Sequence, residues 1–135
     1  MRVFKQNKLW RDKAVDIMEQ QHGSKIHWRY LSDAEYSEQL RLKLIEEAQE
    51  VIATQDRDGL ISELADLFEV IDALSTLNNI AKDEIVAAQT SKRDARGGFS
   101  GRRFVTRAEH QEGGFGEKYC LADPEKYPEI IEESL

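Results

Sequence analysis

The sequence predicts an all-α fold, a bundle of about four core helices followed by short strands or an irregular C-terminal tail. Apolar residues recur at three- and four-residue spacing across residues 32–54 and 60–77, as they do on one face of a helix. Ser32-Asp33-Ala34-Glu35 has the form of a capping box, in which serine and glutamate satisfy each other's orphan backbone donors. Each periodic stretch also ends in a glycine or a polar break: Gly23, residues 55–59, Asn78-Asn79 and Gly97-Gly98.

In chain order, residues 11–22 form a first short helix, closed by Gly23. Residues 25–31 (KIHWRYL) are aromatic and β-branched, and read as an extended connection or short strand. The helix beginning at Ser32 carries Tyr36, Leu40, Leu44, Ile45, Ala48, Val51 and Ile52 at helical spacing. Asp58 reads as the N-cap of the next helix, which carries Leu60, Ile61, Leu64, Leu67, Phe68, Ile71 and Leu74. A fourth helix covers residues 81–93. Residues 102–109 read as a strand, 113–116 as loop, and 124–133 as a terminal helix with Pro124 in its first turn. The expected organisation is one functional helical domain over residues 1–104, with residues 105–135 an extension packed on it.

A chain of 135 residues suits one compact domain. With 40% hydrophobic and 33% charged residues it can bury a core beneath a solvated surface. No apolar run approaches the roughly 18 to 20 residues that span a bilayer, and the N-terminus lacks a signal-like hydrophobic stretch. The single cysteine, Cys120, excludes an internal disulfide framework. These features point to a cytoplasmic protein without a membrane partner. The net charge of -7 argues against a duplex nucleic-acid partner, which calls for a basic face.

The acids fall in unexpected places. On an ideal helix with Leu44 at zero, Glu47 lies at about 300°, between Leu40 and Tyr36, and Glu50 lies near 240° at the edge of the stripe. With Leu60 at zero on the next helix, Glu63 lies at about 300° and Asp66 near 240°. Both helices thus place one acid inside the apolar stripe and a second one turn later. Core-facing carboxylates are costly and repel one another. A hard divalent cation takes oxygen ligands and would compensate them, which makes magnesium, with manganese as a substitute, the expected cofactor. Di-iron bundles use Glu-x-x-His pairs, and none of His22, His27 and His110 stands at that spacing.

Glu46-Glu47-x-x-Glu50, followed after twelve residues by Glu63-x-x-Asp66, resembles the metal-binding signature of the MazG-like, all-α nucleotide pyrophosphohydrolase superfamily. That group includes phosphoribosyl-ATP pyrophosphohydrolases and house-cleaning enzymes that act on non-standard nucleoside triphosphates. Residues 8–13 (KLWRDK) resemble an N-terminal KLVRDK motif of one subfamily, with Trp10 replacing a small aliphatic residue. Residues 63–71 resemble ELADVLEVI, and residues 92–99 resemble KxxxRGGF.

The resemblance implies that Glu47, Glu50, Glu63 and Asp66 bind magnesium, with Glu46 or Glu47 orienting the attacking water. The implied reaction is hydrolysis of a nucleotide between its α and β phosphates, releasing a nucleoside monophosphate and pyrophosphate. A triphosphate also needs cations, for which Lys8, Arg11 and Lys13 form one cluster and Lys92, Arg93 and Arg96 another. Gly97 and Gly98 would let backbone N–H groups approach an anion closely. Helices apolar over so wide an arc are expected to complete their core by self-association, as a homodimer or homotetramer. The competing expectation is a non-catalytic nucleotide-binding sensor or interaction module on the same scaffold, which would bind nucleotide without forming product.

Overall fold

A computed structural model describes residues 1–131. It is all-helical, with five α-helices and no strand among the described residues. The chain divides into two compact units, Met1–Arg96 and Gly97–Leu135.

The first unit holds α1 (Asp12–His22), α2 (Asp33–Ala53), α3 (Arg57–Leu77) and α4 (Lys82–Arg96). Helix α1 stops where Gly23 turns left-handed at φ 68°, and the Ser24 N–H closes the end on the Met18 carbonyl at 3.1 Å. The expected capping box is present at the start of α2. The Glu35 N–H donates to Ser32 Oγ at 3.2 Å, and the Ser32 N–H donates to Glu35 Oε1 at 3.1 Å. Arg29 donates to the other Glu35 oxygen at 2.8 Å and fixes the incoming segment. Residues 25–31 form the extended connection and not a strand, because no second strand among the described residues is available to pair with them.

A three-residue connection folds α3 back along α2, so the pair packs as an antiparallel helical hairpin. Asp56, not Asp58, caps α3: its Oδ1 accepts from the Gly59 N–H at 2.6 Å, and the helix starts at Arg57. Leu40 and Val70 are the buried apolar side chains between the two helices, with Glu47 buried beside them. The packed face is turned toward the acids relative to the apolar stripe. Ile45 and Ile52 on α2, and Ile61, Leu64 and Phe68 on α3, remain 40–82% exposed. Helix α3 ends at Leu77, with Asn78 as its C-cap. Helices α1 and α4 bury no residue, and α4 is exposed along its whole length.

In the second unit, Gly97 takes φ 81° and stops any continuation of helix. Residues 102–109 are irregular where a strand was expected; Arg102 is itself left-handed, at φ 55°. Helix α5 (Phe115–Leu121) begins inside the stretch expected to be loop. It tolerates Gly116 because a Cβ there would run into the His110 ring. Tyr119 stacks against Phe115 and Tyr127, with ring centroids 6.0 and 5.6 Å away. The terminal helix expected from Pro124 does not form within the described residues: one turn closes from Tyr127 to Asp123, and Pro128 then denies Tyr127 a helical successor. Residues 132–133 of that expected helix lie outside the described residues.

Candidate metal centre

The helical hairpin brings the paired acids of the two stripes together. Glu47, Glu50 and Glu63 each offer one carboxylate oxygen, and the three oxygens lie within 4.8 Å of one another. Glu47 is 7% exposed, Glu63 is half-buried, and Glu50 stands at the open side. Glu47 Oε2 and Glu63 Oε2 are shut off from solvent and have no hydrogen-bond partner. Buried polar atoms are rarely left in this state, because each forfeits the solvation it had in the unfolded chain. A divalent cation with oxygen ligands would satisfy such a set.

Electrostatics record the crowding. Loss of solvent is the largest cause that raises the Glu47 carboxyl, followed by the charge of Asp66. The Glu63 carboxyl is pushed up to about 7, by desolvation first and then by a hydrogen bond shared with Glu50. That contact joins α3 to α2 through Glu63 and Glu50. Glu46 moves the other way. Burial works to raise it, but Lys8 and Lys43 outweigh that effect and hold it ionised.

Cations border the acids. Lys43 Nζ lies 3.3 Å from Glu46 Oε2 and 3.8 Å from Glu47 Oε1. Lys8 Nζ donates to Glu46 Oε1 at 3.2 Å. Arg11 donates to Asp66 Oδ1 at 2.6 Å. Asp66 thus stands outside the group of three converging oxygens and grips a guanidinium instead. Lys43 was not anticipated. Its signal was available, since it precedes Glu46 and Glu47 by three and four residues on the same helix.

None of the remaining expected phosphate-binding cations pairs with these acids among the described residues. Lys13 is exposed and carries no ion pair among the described residues. Lys92, Arg93 and Arg96 lie on exposed α4, also without an ion pair among the described residues. Gly97 and Gly98 belong to the second unit, with open space where a Cβ would sit on either. A shallow groove of about 330 Å³ between Arg41, Ile71, Leu74 and Ile85 is apolar and holds none of the acids. Among the described residues no helix is long and apolar enough to cross a membrane. No protein-family model, curated protein or solved structure matches the chain.

Proposed function

We propose that this chain is a MazG-like, magnesium-dependent nucleotide pyrophosphohydrolase. The observation that supports the reading best is the pair of shielded, partnerless oxygens on Glu47 and Glu63 within a convergent group of three carboxylates. A structural ion-pair network would have matched those oxygens with donors. Here Lys8 and Arg11 end on Glu46 and Asp66, and Lys43 approaches Glu47 only at Oε1, 3.8 Å away.

Glu47, Glu50, Glu63 and Asp66 would hold the ion, which supplies Lewis-acid polarisation of phosphoryl oxygens and offsets the charge of the triphosphate. Manganese fits the same oxygen donors. Glu46, kept ionised by two lysines, orients the attacking water and accepts its proton, with Glu47 beside it as the alternative acceptor. Water adds across the α–β anhydride, the bridging P–O bond breaks, and pyrophosphate departs with the electron pair. Lys8, Arg11 and Lys13 on the N-terminal segment, and Lys92, Arg93, Arg96, Gly97 and Gly98 by their motif, are the phosphate-binding residues of this proposal. The substrate class is a small nucleotide.

The partner of this proposal is a second copy of the chain. Ile45, Ala48 and Ile52 on α2 lie roughly 100–160° round from Glu47, and Ile61, Leu64 and Phe68 lie at the same offsets from Glu63. For antiparallel neighbours that places all six on one side of the hairpin. These six side chains carry no charge, so an equally apolar surface covers them best, and self-association as a dimer or tetramer supplies one.

The deciding experiment measures pyrophosphate release from a panel of nucleoside triphosphates and phosphoribosyl-ATP, with and without magnesium. Glu63→Gln is expected to abolish turnover while retaining the helical circular-dichroism spectrum. Full activity in that variant would refute the site. Binding of nucleotide with no product in the wild type would favour a sensor.

A further inference from the structure

The hydrogen bonds from Lys8 and Arg11 span 38 and 55 residues of sequence and fasten the N-terminal segment onto the hairpin. They end on the two acids outside the converging group, Glu46 and Asp66. The inner oxygens of Glu47 and Glu63 receive nothing. Both cations are largely open to water, with side chains 45% and 61% exposed, and their acceptors are 31% and 35% exposed. Ion pairs of that exposure are weak and exchange readily. Leu9 and Trp10, between them, are half-buried. Two partly shielded apolar residues thus lie between the two cations.

We propose that the N-terminal segment is a resident counter-cation strap, in which Arg11 occupies Asp66, and Lys8 occupies Glu46, until a divalent cation displaces the guanidinium and frees it for phosphate. This inference rests on the reading of the acids as a metal centre. Without the strap, Asp66 would add a further unmatched charge to a cluster already short of donors, and Glu46 would keep Lys43 alone. With it, the metal-free protein keeps those charges matched at the rim. A divalent cation recruits Asp66 by outcompeting one exposed guanidinium. The released fork then faces the opening where an anionic ligand arrives, and its paired N–H groups match phosphate oxygens. Arg11 is on this account a positioning residue for the metal and a binding residue for the anion. The strap couples the two events.

The test uses manganese alone as the probe, with free ion counted by electron paramagnetic resonance in the full-length protein. Arg11→Gln is expected to bind manganese about two- to fivefold more tightly than wild type, and Lys8→Gln to tighten it by less. In a Trp28→Phe background Trp10 is the sole indole, and manganese should shift its emission maximum. Adding Arg11→Gln to that background should abolish the shift. Unchanged or weaker binding by Arg11→Gln, alongside binding by wild type, would overturn the strap and leave the metal centre standing. Absence of binding in wild type and Glu47→Gln alike would overturn the metal centre, and the strap with it.

Discussion

Replacing Glu47 by leucine should make the metal-free protein more stable while removing its response to metal. Glu47 is 7% exposed, and its Oε2 has no hydrogen-bond partner. A buried polar atom in that condition costs about 1–3 kcal/mol. Leucine removes the cost and presents an apolar side chain to Leu40 and Val70 in the hairpin interface. Against this stands the contact with Lys43 at 3.8 Å, worth about 1 kcal/mol at most. Lys43 is not stranded by the change, because it keeps Glu46 at 3.3 Å. The net expectation is a gain of up to about 2 kcal/mol, or up to roughly 8 °C in Tm for a chain of this length. Calorimetry in EDTA at fixed protein concentration measures the first part. Repeating it with excess magnesium measures the second, since a ligand that binds only the folded state raises the wild-type Tm and should leave the variant unmoved. A Glu47→Leu protein less stable than wild type in EDTA would refute the reasoning, for it would mean that the carboxylate is structurally matched and not held open for a ligand.

Glu63 gives a pH dependence with a definite sign. Its folded-state pKa is raised to about 7 from an ordinary 4.5, so the folded protein holds the Glu63 proton more tightly than the unfolded chain does. That contribution to stability is fully present below about pH 4.5 and is lost as pH rises through 7, which urea titrations in EDTA across that interval would register. Metal must displace the same proton, so manganese affinity should climb through pH 7 and level off above it; a flat profile would contradict the raised Glu63 carboxyl. Phe68→Glu places a charge in the exposed apolar face, and is expected to convert a wild-type oligomer to monomer in sedimentation equilibrium. Wild-type protein sedimenting as a monomer would remove the basis for self-association.

The parts of the fold that were legible in sequence are those decided by local chemistry. Ser32 and Glu35 satisfy each other within one turn, and Gly23 supplies the left-handed residue that ends α1, so both boundaries needed no knowledge of the rest of the chain. The phase of Glu47 and Glu63 within their stripes was equally visible, and the hairpin brings those two acids together with Glu50. Asp56 and Asp58 are two acids ahead of one apolar run, and Gly59 decides between them: its N–H reaches the Asp56 carboxylate, and a Cβ there would crowd the same oxygen at 3.0 Å. The strand readings failed because β-propensity finds no partner strand among the described residues. Helix α5 was hidden by its glycines, and its packing against His110 and the tyrosine ring stack is a tertiary matter. Asp66 showed the limit most clearly. Its spacing from Glu63 suggested a ligand, but the guanidinium that holds it comes from 55 residues away.

The short turn between α2 and α3 bears on how the protein comes into being. Glu47 and Glu63 are sixteen residues apart, so their meeting closes one of the smallest loops by which two helices of this chain can associate. Local closures of this kind form early, before distant segments have been recruited. The nascent hairpin would therefore confront its like charges while Lys8 and Arg11, already synthesised, are at hand to damp them. During biogenesis the order of emergence from the ribosome delivers the neutralising groups ahead of the repulsion they quench.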